Sequence, residues 1–380
     1  MPINDKHRHL YPQLDVPPRL LLGPGPSNAH PRVLQAMAMP QLSHLDPAFT
    51  ALMDEIQELL RYAWQTDNEY TISISGTGSA AMETAVANSV EPGDVILVGV
   101  MGYFGERLVE MARRYGGDVR TVTRPWGEVF QLDELQSALE SHKPAVLMLV
   151  HAETSTGALQ PLAGIGELCH QHHCLLLADC VTSLGAAPLL IDEWGVDVAY
   201  SCSQKGLSCP PGASPLTYGP RALAKLDNRQ QPTPNWYYDL TLLHNYWQGT
   251  PRSYHHTMSS SMNYALREGL RLVAEEGLQA RWERHQANAQ LLWDGLAELG
   301  LTCHVSEPAL RIPSLTTVRV PDGVDAKAIT QRLLQAYNIE IAGGFGPLAG
   351  KVWRIGLMGH NSRPENVLTL LAALDEMLNK

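Results

Sequence analysis

The sequence predicts an α/β protein with a mainly parallel central sheet, covered by helices on both faces, and a second, smaller α+β domain. Two observations predict this fold. Between residues 70 and 201, short apolar runs rich in β-branched residues alternate with helical stretches, which is typical of βαβ units. Several of these runs end in glycine or polar residues, as strands do where a ligand binds beyond their carboxyl ends. A chain of 380 residues is long enough for a large core and about two domains.

The chain divides into an arm and two domains. Residues 1–18 are polar and interrupted by prolines, so they are expected to form an extended N-terminal arm. A helical pattern from Met262 to about Leu299 is broken near Gly277, where we place the boundary between the large domain (19–276) and the C-terminal domain (277–380). The C-terminal domain is predicted to contain the strands LTCHVS, PSLTTVRV, IEIAGG and VWRIGLMG, the helix DAKAITQRLLQAY and a closing helix from Arg363.

The elements of the large domain follow in order. Leu20 to Leu22 run into the turn GPGPSN, and apolar residues recur at helical spacing from Pro47 to Tyr62, which predicts an amphipathic helix. The predicted strands are YTISIS (70–75), VILVG (95–99), DVRTVTR (118–124), AVLMLV (145–150), CLLLA (174–178) and 196–201. The segment 229–262 is rich in aromatic residues, prolines and turn formers, so it is expected to be irregular and to form an interface or a cleft wall.

One acid and one lysine follow two neighbouring strands. Asp179 ends the run CLLLAD, and Lys205 follows the run 196–201 within SCSQKGLSCPPG. Because parallel strands end at a common crevice, both side chains are expected to face one site. A lysine on a tight loop can form a Schiff base with pyridoxal phosphate, and a carboxylate can keep the ring nitrogen of this cofactor protonated. The pair therefore predicts pyridoxal 5'-phosphate as cofactor, with Lys205 and Asp179 as catalytic residues.

A glycine-rich loop follows the first predicted strand of the large domain, YTISIS, and leads into a helix. In Gly76-Thr77-Gly78-Ser79, unpaired backbone N–H groups at a helix N-terminus can cradle a phosphate, and Thr77 and Ser79 add hydroxyls. The run GTGSAA also fits the dinucleotide fingerprint, which requires an acidic residue at the end of the next strand. That strand instead runs into Val100 and Met101. A lone phosphate is favoured, and a nicotinamide-dependent oxidoreductase is the alternative from another class.

The chain resembles the class V aminotransferases of fold type I, and within them the alanine–glyoxylate and serine–pyruvate aminotransferases. The motifs that carry the resemblance are GPGPSN, SGTGSAAMETA, HAETSTGALQPL, LADCVTSLG, SCSQKGLSCPPG, RSYHHT and KVWRIGLMGHN. They stand in the order of the family and span nearly the whole chain. The resemblance implies a pyridoxal-phosphate transferase fold with a mainly parallel, seven-stranded sheet in the large domain.

The resemblance also assigns roles to further residues. Beside Thr77, Gly78 and Ser79, the phosphate is expected to contact Gln204 and, from the other subunit of a homodimer, Tyr254 and Thr257. Thr154 matches a position that contacts the phenolic oxygen of the cofactor, Phe104 stands where relatives commonly carry a tryptophan that stacks on the ring, and Gly25 lies beside the substrate.

Arg354 is predicted to bind the substrate carboxylate. It is flanked by apolar residues in VWRIG, which is an unusual place for a guanidinium unless an anion binds there, and its planar fork suits a carboxylate. The match of KVWRIGLMGHN to the carboxylate-binding stretch of the family favours this role over a structural ion pair.

These residues together predict transamination between a small amino acid, alanine or serine, and a 2-oxoacid, glyoxylate or pyruvate. Lys205 would hold the cofactor as an aldimine and then act as general base, and the two half-reactions would follow ping-pong kinetics. Phosphoserine aminotransferase is the nearest alternative within class V. Cysteine desulfurase is disfavoured because no cysteine follows Cys303.

Composition excludes several other classes of function. The 28 basic and 39 acidic residues give a net charge of −11, which argues against nucleic acid or an anionic membrane as partner. Six cysteines show no disulfide or metal-site spacing, and no apolar run approaches the roughly 18 residues of a membrane span. The stretch CHQHHC (169–174) would point its side chains in several directions, so no metal site is predicted. A cytoplasmic protein with reduced thiols is expected.

Overall fold

The computed structural model describes residues 11–378. Its centre is a seven-stranded sheet, as predicted, and a three-stranded sheet and two two-stranded sheets complete the described part of the chain. The strands are β1 (Leu20–Leu21), β2 (Tyr70–Gly76), β3 (Val95–Val100), β4 (Asp118–Thr123), β5 (Val146–Val150), β6 (Ala152–Glu153), β7 (Ala158–Leu159), β8 (Leu175–Asp179), β9 (Val198–Tyr200), β10 (Gly212–Tyr218), β11 (Leu315–Arg319), β12 (Ile339–Glu340), β13 (Ala342–Gly343) and β14 (Val352–Gly356).

The central sheet has the order β2-β10-β9-β8-β5-β3-β4. The strands β9, β8, β5, β3 and β4 are mutually parallel, and β10 is antiparallel to both of its neighbours, β2 and β9. The strand β2 therefore runs in the same direction as the parallel set. As a result, six strands (β2, β3, β4, β5, β8 and β9) present their carboxyl ends at one edge of the sheet, where ligands bind in open α/β folds.

Helices cover the sheet and form the second layer of the core. The helices are α1 (Pro31–Met37), α2 (Pro47–Trp64), α3 (Gly78–Ser89), α4 (Tyr103–Arg114), α5 (Leu132–His142), α6 (Ile165–Gln171), α7 (Pro220–Asp227), α8 (Leu240–Trp247), α9 (Ser260–Glu276), α10 (Leu278–Glu298), α11 (Ala326–Tyr337) and α12 (Pro364–Leu378). All residues of β5 and β8 are buried, as expected for strands with helices on both faces. No helix within residues 11–378 combines the length and the apolar character that crossing a bilayer requires.

A second hydrophobic core lies in the C-terminal part. It is built around the sheet β11-β14-β13 and the helices α10, α11 and α12. Leu22 belongs to this core, and β1 pairs in parallel with β12, so the segment after the arm joins the C-terminal part. The helices α9 and α10 meet at Gly277, whose φ is +83°. The division at residues 276 and 277 stays a prediction.

The structure differs from the predicted elements at several places. The run LTCHVS is not a strand and forms only an isolated bridge between Cys303 and Val318. The run IEIAGG is divided between β12 and β13, which pair with different strands. The segment 229–262, expected to be irregular, contains the helix α8. The strand β10 was not predicted. Of the predicted arm, residues 1–10 lie outside the described residues, and residues 11–18 are exposed and belong to no helix or strand.

Candidate active site

Asp179 is the last residue of β8 and lies at the bottom of the site. It is 1 % exposed. Its Oδ1 accepts a hydrogen bond from the Val181 backbone N–H at 2.9 Å, and its Oδ2 accepts one from the Tyr200 hydroxyl at 2.7 Å. Burial raises the pKa of the carboxyl, while these hydrogen bonds and the charge of Lys205 oppose the rise. Such an acid, desolvated but held by donors, is suited to bind a protonated ring nitrogen.

Lys205 follows β9 on a loop and is 6 % exposed. Its Nζ donates hydrogen bonds to the Thr154 and Thr182 hydroxyls, each at 2.9 Å. Burial lowers the pKa of the amine, which increases the neutral fraction that can attack a carbonyl carbon. Gly25 closes the other side: its φ is +108°, and a Cβ there would lie 3.1 Å from Lys205 Cγ. Gly25 therefore contacts the lysine stem, and its predicted place beside the substrate stays a prediction.

Phe104 lies beside the amine, with Lys205 Nζ 5.7 Å from its ring centre. Its backbone at the start of α4 is held by Glu153, whose Oε2 accepts a hydrogen bond from the Phe104 N–H at 3.1 Å. Glu153 is fully buried, and burial raises the pKa of its carboxyl. Sequence reasoning missed Glu153, which stands next to Thr154 in the strand-end run HAETSTG. Its contact holds the backbone that carries the aromatic ring.

The glycine-rich loop lies at the end of β2, at the same edge of the sheet. Thr77 and Ser79 are exposed, whereas Gly78 is buried, and a Cβ on Gly78 would lie 3.1 Å from Cys202 Cβ. Arg107 Nη1 donates a hydrogen bond to Ser79 Oγ at 3.2 Å, and the guanidinium carbon lies 4.9 Å from the Phe104 ring centre. Arg107 is a cation that sequence reasoning missed. It stands one helical turn after Phe104, which was the available signal.

Arg354 lies on β14 and is 7 % exposed. Its hydrogen bonds go to backbone carbonyls, from Nε to Gly343 at 2.9 Å and from Nη1 to Thr154 at 3.4 Å. Its guanidinium carbon lies 4.4 Å from the Phe345 ring centre. Burial lowers the pKa of Arg354 to about 10, so the group is charged at neutral pH. Within residues 11–378, this buried cation contacts carbonyls and a ring but forms no ion pair, so it is well suited to receive a carboxylate.

Tyr254 and Thr257 lie apart from this cluster. Tyr254 is 58 % exposed, Thr257 is also exposed, and their hydroxyl oxygens are 3.4 Å apart. Between them, His256 is buried, and its Nε2 lies 2.6 Å from Ser75 Oγ at the end of β2. The segment is thus attached near the glycine-rich loop, while the two hydroxyls predicted to serve a neighbouring subunit are on the surface.

The residues present fit pyridoxal phosphate. The side-chain Oε1 of Gln204, a residue predicted to contact the phosphate, is buried and has no hydrogen-bond partner within residues 11–378. Because Oε1 is an acceptor, it would pair with a donor of the bound group, and only the amide Nε2 could donate to a phosphate oxygen. The hydroxyls of Thr154 and Thr182 contact each other. Each hydroxyl has one proton, and the hydrogen bond between the two hydroxyls uses one of these two protons. The other proton can be donated to an oxygen atom of a ligand. The described residues contain no group of three or more side chains that could hold a metal ion.

Comparisons with known proteins show the family of the chain. Residues 20–365 match the family model for Aminotransferase class-V. The alanine–glyoxylate aminotransferase of Callithrix jacchus is 47% identical, over 96% of this chain and 89% of the relative. The crystal structure of alanine–glyoxylate aminotransferase from Nostoc sp. is 62% identical and covers 100% of both chains with a TM-score of 0.97. The (S)-ureidoglycine–glyoxylate transaminase of Bacillus subtilis is 39% identical, over 96% of this chain and 92% of the relative.

Proposed function

The chain belongs to the class V aminotransferases, and we propose that it transfers an amino group from alanine or serine to glyoxylate or pyruvate with pyridoxal phosphate as cofactor. One observation carries the proposal: Thr154 accepts hydrogen bonds from two buried cations, through its hydroxyl from Lys205 and through its carbonyl from Arg354, beside the buried Asp179 carboxylate that ends β8. Within residues 11–378, Arg354 has no carboxylate partner. The similarity to alanine–glyoxylate aminotransferases supports the choice of substrates.

Three residues of the chain have chemical roles in the proposed reaction: Lys205, Asp179 and Arg354. When bound, pyridoxal phosphate supplies an electron sink and a carrier for the amino group. Lys205 Nζ anchors the cofactor covalently and, when free, takes the proton from the α-carbon of the amino acid. The Asp179 carboxylate keeps the proton on the pyridine nitrogen. Arg354 binds the carboxylate of either substrate, and its fork fixes the orientation of the α-carbon.

The other predicted contacts hold the cofactor in place. Thr77, Gly78, Ser79 and Gln204 would bind the phosphate, Thr154 would donate to the phenolic oxygen, and Phe104 would cover one face of the ring. Donor and acceptor would react in two half-reactions at the same residues, which gives ping-pong kinetics.

We further propose a homodimer in which each subunit lends Tyr254 and Thr257 to the phosphate of the other. The exposure of both hydroxyls supports this arrangement. The exposed Trp236 side chain, whose ring stacks on His255 at 4.4 Å, adds apolar surface near the same segment. Aromatic residues of this kind are enriched in interfaces between subunits. A cytoplasmic location stays a prediction.

Borohydride reduction of the purified protein, followed by peptide mapping, tests the anchor. Reduction should fix the cofactor to the peptide that contains Lys205, and Lys205→Ala should carry no label and no transaminase activity. A label on another lysine would refute the assignment of the site. A colourless protein that binds NAD would instead support the oxidoreductase alternative.

Substrate assays separate the possible donors. Alanine with glyoxylate should give the highest kcat/KM, and serine with pyruvate should also react. (S)-Ureidoglycine with glyoxylate must be included because of the similarity to the Bacillus subtilis transaminase. Phosphoserine with 2-oxoglutarate should give little turnover. A preference for either of the last two pairs would refute the proposed substrates.

A further inference from the structure

Thr182 contacts the lysine amine, although the sequence analysis gave this residue of the LADCVTSLG motif no role. It lies three residues after Asp179, on the loop that follows β8, and is fully buried. Its hydroxyl oxygen accepts a hydrogen bond from Lys205 Nζ at 2.9 Å. Its carbonyl accepts one from the Ser314 hydroxyl at 3.0 Å, so the C-terminal part of the chain holds the backbone at Thr182. One short loop therefore carries both the carboxylate and a contact to the amine.

Thr154 and Thr182 together restrict the amine in two directions. Each hydroxyl accepts one N–H of Lys205, and the two hydroxyls contact each other. An amine held by a single hydroxyl keeps its rotation about the terminal C–C bond, whereas two acceptors fix this rotation. The stem is already confined by Gly25 on one side. Without Thr182, only the end of the side chain would gain freedom.

We propose that Thr182 is a positioning residue for the Lys205 amine. Together with Thr154, it holds Nζ in the direction from which the amine bonds to the cofactor and, when free, meets the α-proton of the substrate. This inference rests on the proposed function. It also makes Thr182 a determinant of the proton affinity of the amine, since hydroxyl acceptors stabilise the ammonium more than the neutral amine.

Several groups set the charge state of this amine besides the two hydroxyls. Burial lowers its pKa most, and the titratable groups around it are the Cys202 thiol, the Asp179 and Glu153 carboxyls and the Arg354 guanidinium. The substitution Thr182→Val leaves all of these in place and replaces the hydroxyl by a methyl group of similar size. It removes one acceptor from the ammonium, so the pKa of Lys205 should fall. The substitution Thr182→Ser keeps the acceptor and should keep the pKa.

The test measures covalent capture of the cofactor by the full chain stripped of pyridoxal phosphate. The neutral amine reacts, so the capture rate, followed by absorbance, should rise with pH through the pKa of Lys205. For Thr182→Val, the midpoint should fall by about one pH unit relative to the wild type, and Thr182→Ser should restore it. In steady state, kcat of Thr182→Val should fall about tenfold with little change in KM.

An unchanged midpoint in Thr182→Val would refute the role of Thr182. If the valine variant does not fold, as judged by circular dichroism, Thr182→Ala gives the same comparison. Failure of the proposed function looks different, because wild-type protein would then capture no cofactor at Lys205. A loss of stability without a shift of the midpoint would mean that Thr182 is only a packing residue.

Discussion

The candidate site has a buried half around Lys205 and Asp179 and an exposed half around the glycine-rich loop. The two halves differ in how many of their contacts lie within one chain. Around Lys205 and Asp179, the side chains are buried and hydrogen bonded within the chain. Around the glycine-rich loop, Thr77 and Ser79 are exposed, and Tyr254 and Thr257 are on the surface. We infer that the chemistry depends on groups of one chain, whereas retention of the phosphate depends on assembly. Substitutions in the two halves should therefore have different effects.

The largest effect is expected for Asp179→Asn, in the buried half. The amide keeps the shape of the carboxyl but carries no charge, so it cannot hold a proton on the ring nitrogen. The rate of the first half-reaction, measured in single turnover with alanine, should fall about 10²–10³-fold. The affinity for the cofactor should change much less. The matched control is Asp227→Asn at the exposed end of α7, which should react at the wild-type rate. If Asp179→Asn instead weakened cofactor binding more than it slowed the half-reaction, the proposed difference between the two halves of the site would be wrong.

The second-largest effect is expected for Arg354→Gln. Because Arg354 is buried and bonded to carbonyls, its loss should remove a charged hydrogen bond to the substrate and raise KM for alanine about 100-fold. The KM of Arg354→Lys should lie between the KM values of the wild type and of Arg354→Gln. An ammonium keeps the charge but lacks the planar, bidentate guanidinium. The exposed Arg319→Gln is the control. A fall in kcat at unchanged KM would place Arg354 outside the binding of the carboxylate.

The catalytic pair was predictable because its residue types are unusual where they stand. A buried strand rarely ends in an acid or leads into a lysine without a chemical reason, and the parallel sheet brings such ends together. The contact of Tyr200 with Asp179 was not predicted. Parallel pairing places Tyr200 opposite Asp179 in the register of β9 and β8. Register depends on the folded sheet, so the periodicity of one chain segment does not reveal it.

Other elements escaped prediction because tertiary contacts override local preference. The strand β10 contains Pro215 in the middle of the sheet, and a proline argues against a central strand. The run at Cys303 has the composition of a strand, but it makes only one bridge. Thr182 was missed because a threonine within an apolar stretch is common, and only the fold brings it to Lys205.

A smaller effect is expected for Thr257→Val, in the exposed half. Loss of one hydroxyl from a phosphate site should weaken retention of the cofactor about tenfold, with little change in kcat at saturating cofactor. If the proposed homodimer forms, dilution should increase the loss of cofactor, because dissociation removes the hydroxyl that the partner supplies. Mixing Thr257→Val subunits with Lys205→Ala subunits tests which subunit Thr257 serves. If Thr257 serves the partner, each mixed dimer contains one intact site, and activity at a low cofactor concentration should exceed that of either variant alone. No gain on mixing would place Thr257 at the site of its own subunit.

The smallest effect is expected for Phe104, which touches both halves. Its ring lies near Lys205 Nζ, and it also stacks with Arg107, which bonds to Ser79 of the loop. Replacing the ring with alanine should weaken cofactor binding about fivefold, measured by the return of intrinsic fluorescence as the cofactor leaves. Phe104→Trp keeps the stacking and should bind at least as tightly. If Phe104→Ala instead lowers kcat strongly at full occupancy, the ring acts on the lysine, and it belongs with the buried half.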